Sequence, residues 1–363
     1  MKRRLFLTAD GVGGVWQYAA ELARALQPRG YDVTVATLGP SPSAAQRASL
    51  GAGITLIDTG LPLDWIARDA AALAAAGTAI ARLAELHRTE IVQLNQPALA
   101  AASFAAPVVA IAHSCVGTWW QAMFGAAPEP ADFVWQTALM QRGLDRADAI
   151  VAPSQAFAAA LQARYRLSSA PHVVYNGRAP IAETARKPAD FAFTAGRLWD
   201  DAKNVATLDR AAARLTIPFK AAGAQGNAKG QFAVLKHLDL LGQVEEAVIA
   251  EHLAAQPIFV SAALYEPFGL AILEAALAGC ALVLADIPTF RELWDGIAVF
   301  VDPYDDAAFA SAIAGLVADP SARLARGDLA RRRAAQFTPD RTADAMDALF
   351  TSLLTTARAK VAA

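Results

Sequence analysis

One alternation, written twice, constrains this chain most: short apolar runs of strand character are separated by stretches of helical periodicity, and the series is interrupted once and then resumed. In the first half the runs are LFLTA (5–9), DVTVATL (32–38), ITLID (54–58), EIVQLN (90–95), PVVAIAH (107–113) and AIVAPS (149–154). Between the first two, Val15, Tyr18, Ala19, Leu22 and Leu26 fall on one face of a helix, which makes a strand–helix–strand unit. Strands that are apolar on both faces, joined by Ala-rich helices, predict a mostly parallel sheet covered on both sides.

At VVYNGRAPIAETARKPAD (173–190) the chain turns polar and Pro-containing, as a hinge between domains does. The series then restarts with FAFTAG (191–196), PFKAAG (218–223), PIFVSA (257–262), ALVLAD (281–286) and AVFVD (298–302). Helices are expected at 204–215 and 269–278, and a last long one over 339–360 follows the second set. With 363 residues, 55% of them hydrophobic, the chain can fill two cores. The expected fold class is α/β, with two Rossmann-like doubly wound domains facing one another: 1–172, 173–338, and a terminal helical segment 339–363. No repeat with a period of 20 to 50 residues suggests a solenoid.

Several function classes drop out. The 32 basic and 34 acidic residues leave a net charge of -2, which gives no pull toward nucleic acid, so any bound anion must be held locally. Cys115 and Cys280 are far apart and lack metal-ligand spacing, which fits a reducing cytoplasm. The opening MKRRLFLTAD starts like a signal peptide, but Asp10 and the following glycines cut the apolar run short. No apolar stretch approaches the roughly 20 residues of a spanning helix, so a peripheral rest on the inner membrane face is the closest membrane association expected.

Three segments can carry chemistry. DGVGGVW (10–16) is a Gly-rich turn from strand to helix, where backbone can approach an anion at a helix N-terminus. A dinucleotide site fares poorly there, because Trp16 stands at the third glycine position and no acidic residue ends the second strand. A tight turn without a ligand remains an equal reading of that motif. TAGRLWDDAKN (194–204) sets Arg197 and Lys203 behind a glycine at a strand end, cations suited to a diphosphate, although a solvated charged loop explains them as well. FVSAALYEPFGLAILEAALAG (259–279) runs strand, loop, helix, with Glu266 in the loop and Glu274 about one turn into the helix. Phe268, Gly269 and Leu270 present backbone N–H groups at that helix start. Capping by Glu266 and an exposed Glu274 would account for the pair structurally, but the helix is apolar nearly all round, which argues against an incidental exposed face.

The ordered set DGVGGVW, ADAIVAPS (147–154), YNG (175–177), AGR with Lys203, and EPFGLAILEA resembles the retaining glycosyltransferases of family 4, whose fold is GT-B, two Rossmann-like domains about a central cleft. The resemblance spans nearly the whole chain, and its most specific part is the pair of glutamates, Glu266 and Glu274, with seven residues between them. It implies a retaining hexosyltransferase that takes a UDP- or GDP-linked sugar and a glycan, lipid-linked or small-molecule acceptor. Under it Glu266 and Pro267 lie near the donor sugar, Glu274 bonds the ribose, Arg197 and Lys203 neutralise the diphosphate, and Phe268, Gly269 and Leu270 face the phosphates. Gly13 and Gly14 match the loop over the phosphate, and His113 matches a histidine near the sugar hydroxyls, where a lone histidine is otherwise a structural one.

This chemistry needs neither cofactor nor metal: no D-x-D triplet occurs, Asp200 and Asp201 read as a helix-entry pair, and fixed cations with helix-terminal N–H groups stabilise a departing diphosphate. Two other classes stay open, a sugar-nucleotide epimerase on a similar scaffold and a non-catalytic nucleotide-sugar binding protein. On the acceptor side, Trp119, Trp120, Met123 and Phe124 form a sugar platform, a membrane-contacting lip or part of the core. Arg68, Arg82 and Arg88 in the helical stretch 66–88 are too sparse for a basic membrane surface.

Overall fold

The computed structural model describes residues 2–11, 13–180, 187–227 and 230–362. Residue 12 of the glycine turn and residues 181–186 of the expected hinge lie outside the described residues. The chain divides into two compact units, one made of Met1–Gly177 with Thr338–Ala363 and the other of Arg178–Phe337.

The first unit is built on seven parallel strands: β1 (Arg3–Asp10), β2 (Tyr31–Leu38), β3 (Thr55–Leu61), β4 (Ile91–Leu94), β5 (Val108–Ile111), β6 (Ala149–Ala152) and β7 (His172–Val173). Their spatial order is β3-β2-β1-β4-β5-β6-β7, so the direction of winding reverses between β1 and β4. Alternation along β1 sends Leu5 and Leu7 to one face and Phe6 to the other. On the first face they meet Leu22, Ala23 and Leu26 from the helix Gly14–Leu26, together with Ala343, Met346 and Phe350 from the helix Pro339–Ala362. On the second, Phe6 joins Ile80, Val92, Leu94 and Leu139. The last helix is tied down by polar contacts as well, since Arg3 Nη1 and Tyr31 Oη both donate to Asp347 Oδ1, at 2.9 and 2.6 Å.

The second unit carries six parallel strands: β8 (Ala192–Ala195), β9 (Phe219–Ala222), β10 (Asp239–Gly242), β11 (Ile258–Ser261), β12 (Ala281–Ala285) and β13 (Val299–Val301). Their order is β10-β9-β8-β11-β12-β13, and here the winding reverses between β8 and β11. Two parallel-sheet α/β domains are therefore present, as the alternation predicts. Two strands escaped the pattern. β7 has only two residues, and β10 is an edge strand, DLLG, that lacks the β-branched or aromatic residues present in each of the others.

Helix boundaries shift by a few residues. The expected helix over 66–88 begins at Ala70 because Asp69 caps it, its Oδ1 accepting from Ala72 N at 2.7 Å. None of the described helices is long and apolar enough to cross a membrane.

Candidate functional site

In open parallel sheets ligands bind beyond the carboxyl ends of the strands, where the winding reverses. In the second unit that point lies between β8 and β11, and both charged segments singled out in the sequence leave the sheet there. β8 runs into Gly196 and Arg197, and β11 runs into the loop that carries Glu266 before the helix Leu270–Leu277. Two hydrogen bonds hold the two segments together, and a third ties the first of them to the loop after β13. Leu264 N donates to Ala202 O at 2.8 Å, and Asn204 Nδ2 donates to Ala262 O at 3.1 Å and to Pro303 O at 2.7 Å. Asn204 adopts a left-handed backbone, φ 51°, which asparagine tolerates better than most residues, and its side chain pins the loops that follow β11 and β13.

The turn presents Lys203 to Glu266, Nζ to Oε2 at 2.5 Å, with both side chains about one-fifth exposed. Arg197 behaves differently. Its guanidinium pairs through Nε and Nη2 with Asp200 Oδ2, at 3.2 and 2.7 Å, packs over the Trp199 ring, and stays 59% exposed. Asp200 also receives Ala202 N at 3.0 Å, so it is the helix-entry carboxylate expected, and it aims Arg197 as well.

Gly269 starts the helix Leu270–Leu277 at φ 93°, where an L side chain is strained and an added Cβ would lie 3.0 Å from Ile272 Cδ1. Gly269 brings no side chain to cap this helix, which leaves its first N–H groups at the loop end. Pro267 and Phe268 are buried, Phe268 edge-on to Phe337 at 5.8 Å between centroids. Glu274 does not sit on an exposed face: Arg178 Nε donates to its Oε1 at 2.7 Å, while Arg178 Nη2 bonds Glu246. Sequence reading missed Arg178, Asn204 and the contact by which Asp200 aims Arg197. The signal available for Arg178 was its place directly after YNG, a cation in a stretch taken as hinge.

The remaining candidates lie in the first unit. Gly13 caps the helix Gly14–Leu26 with φ 75° and open space around the position of a Cβ, and Gly14 is its first residue. His113 follows β5. Its Nε2 lies 3.0 Å from Asn95 Oδ1, and Asn95 Nδ2 donates to Thr8 O, so the histidine is the donor. The ring lies edge-on to Tyr18, and burial lowers its pKa to about 4, keeping it neutral.

The aromatic stretch is not core. Trp119 and Trp120 are half-buried, Phe124 is 47% exposed, the three pack on one another, and both tryptophans pack on Phe133. Arg68 is exposed and paired with Asp69. Among the described residues no group of three or more His, Cys, Asp and Glu is placed to hold a metal ion.

Comparison with known proteins agrees in both halves. Residues 12–179 match the model of Glycosyltransferase Family 4, and residues 190–319 match that of Glycosyl transferases group 1. A phosphatidyl-myo-inositol mannosyltransferase of Mycolicibacterium smegmatis is 38% identical over 90 residues, a stretch spanning 24% of this chain and 23% of that protein. Among solved structures, the sucrose-phosphate synthase of Thermosynechococcus elongatus superposes with a TM-score of 0.80 at 18% identity, covering 98% of this chain and 100% of that one. Anabaena HepE in complex with UDP-glucose gives 0.73 at 19%, covering 97% and 100%. WaaG, a glycosyltransferase of lipopolysaccharide biosynthesis, gives 0.71 at 15%, covering 94% and 98%. At these identities the structural likeness speaks for the fold.

Proposed function

Since the chain belongs to the family 4, group 1 glycosyltransferases, with the GT-B pair of domains, we propose that it moves a hexose with retention from a nucleoside-diphosphate sugar to a sugar-containing or lipid-linked acceptor. The observation that carries this reading is the Lys203–Glu266 pair, which sets a cation and a carboxylate side by side at the switch point of the second sheet. A UDP- or GDP-linked donor suits it, and the bound UDP-glucose of HepE supports the choice of a nucleotide sugar.

Departure of the diphosphate builds negative charge at the leaving oxygen. Lys203, with three donors on its ammonium, can hold Glu266 and a phosphate oxygen together. Arg197, aimed by Asp200, supplies a guanidinium fork, and the Phe268, Gly269 and Leu270 amides supply N–H dipoles. These groups do the work that a divalent cation would do, so the reaction is proposed to run without metal or cofactor. Glu266 with Pro267 borders the sugar, Glu274 takes the ribose hydroxyls, Gly13 and Gly14 approach the phosphate, and His113, neutral, bonds sugar hydroxyls. Retention follows from same-face substitution, the leaving phosphate accepting the acceptor's proton. A glycosyl-enzyme trapped on Glu266 would overturn that route in favour of a covalent one. With two cysteines far apart in the sequence, a reducing cytoplasmic setting fits, and peripheral contact at the inner membrane face is part of the proposal.

The test is a thermal-shift panel of nucleoside diphosphates and their sugars, followed by turnover of wild type and Glu266→Ala. Selective stabilisation by one diphosphate and its sugar, with turnover lost in the variant, is expected. Diphosphate release that ignores added acceptor would favour an epimerase. Absence of any turnover in wild type would favour a binding protein.

A further inference from the structure

Where β4 leaves the first sheet, two buried carboxamides lead to the ring of His113. Asn95 directly follows β4 and is 4% exposed. It is fixed against β1 at two points, its backbone N–H donating to Thr8 Oγ1 at 2.9 Å and its Nδ2 donating to Thr8 O. A carbonyl oxygen can only accept, so the NH2 of this carboxamide must face Thr8 and its Oδ1 must face away. There Oδ1 receives Gln93 Nε2 at 3.2 Å and lies 3.0 Å from His113 Nε2. Gln93 is fully buried on β4, and turning either amide would set oxygen against oxygen.

A neutral imidazole in water divides its proton between its two nitrogens. His113 has no such choice. An oxygen that cannot donate faces Nε2, which places the proton on Nε2 and leaves a lone pair on Nδ1. Tyr18 lies edge-on to the ring at 4.7 Å between centroids and holds its plane from another side. The ring is half-buried, and Nδ1 bonds no group among the described residues. A hydroxyl can donate or accept, but before a bare Nδ1 only a donating hydroxyl makes a bond. Fluorine or an ether oxygen in its place would bring a second acceptor.

We propose that Asn95 is a positioning residue that locks His113 in the Nε2–H tautomer, so that Nδ1 selects a donating hydroxyl of the sugar and rejects acceptor-only groups in its place. The sugar rests on the reading of His113 given above; the tautomer lock does not. Nitrogen-15 spectra of the histidine-labelled whole chain separate protonated from bare ring nitrogens, and His113 is assigned among the five histidines by its loss in His113→Asn. Wild type is expected to show one tautomer, Nε2 protonated and Nδ1 bare. Asn95→Leu should lose that single signature, and Asn95→Asp, which keeps an oxygen before Nε2, should keep Nε2 protonated. The second arm titrates UDP- and GDP-hexoses in which one hydroxyl at a time is replaced by hydrogen or by fluorine. At one hydroxyl the deoxy and fluoro analogues are both expected to bind about tenfold weaker than the parent, as loss of a hydrogen bond does. A tautomer mixture or a bare Nε2 in wild type, an unchanged His113 signal in Asn95→Leu, or, should that variant not fold, loss of the Nε2 proton in Asn95→Asp would each overturn the lock. A fluoro analogue that matches the parent where the deoxy analogue fails, or no penalty at any hydroxyl, would overturn the selectivity. Failure of wild type to bind any nucleotide sugar would instead sink the glycosyltransferase reading, and the spectra would still decide the lock.

Discussion

Arg178 holds Glu274: the guanidinium Nε donates to the carboxylate at 2.7 Å, with both side chains almost wholly buried, at 7% and 12% exposure. Residue 178 is where the chain passes from the first unit into the second, so the glutamate proposed for the ribose is oriented from the unit's own entrance. Glu274→Ala is therefore expected to bind ribonucleotides no better than 2′,3′-dideoxynucleotides, a preference wild type should show in calorimetry. Equal discrimination by wild type and variant would remove Glu274 from the ribose.

Replacing Arg178 by Met should leave the Glu274 charge poorly compensated in a buried setting. A loss of about 2–3 kcal/mol is expected, seen as a fall of several degrees in the unfolding midpoint. Arg178→Lys, which keeps the charge but not the fork, should recover part of the stability and less of the nucleotide affinity. An unchanged midpoint for the Met variant would contradict the pairing.

Lys203→Ala should weaken nucleoside-diphosphate binding about tenfold or more and leave nucleoside binding nearly untouched, because the ammonium acts on the phosphates. Titrations of both ligands against both proteins check it. Equal diphosphate affinity would end that assignment.

His113 titrates at about 4 in the folded chain, below its ordinary value of about 6.5. Between those values the unfolded state binds more protons, so stability falls as pH is lowered through this window. His113→Asn should flatten that part of the curve of unfolding midpoint against pH. The turnover profile of wild type should carry no break near 6.5 from this residue.

Asp10 has the opposite sign. With its pKa raised to about 7 by burial and by the nearby Asp64 charge, the folded state binds the extra proton from about 4 upward, and stability is lost as pH rises through 7. Asp10→Asn, which needs no proton, should be more stable than wild type at pH 8 and closely similar at pH 4. Chemical denaturation at the two values decides the matter.

Much of this architecture was legible because apolar strand runs between helical patterns leave few other solutions. LFLTA and ALVLAD became β1 and β12, and the Glu266 and Glu274 spacing located the loop and helix beyond β11. What stayed hidden depended on tertiary partners. DLLG forms β10 only because β9 offers it an edge, and Arg178 is read as linker until Glu274 is seen beside it. Asp64 gave no signal in sequence, since an aspartate in a loop is ordinary until the fold places it against Asp10. Trp119, Trp120 and Phe124 could be sorted from core residues only by their packing on one another at the surface.

The chain enters the second unit at Arg178 and leaves it at Phe337, and Arg178 N donates to Phe337 O at 3.1 Å. Entry and exit are thus a hydrogen bond apart, and topologically the second unit is an insertion between Gly177 and Thr338. Such an arrangement suits excision: a fragment covering 178–337 begins and ends at one spot, with no element of its sheet left behind. The same proximity favours circular permutation of that fragment through a short linker, which would let the Lys203–Glu266 edge be studied apart from the sheet that carries Asp10.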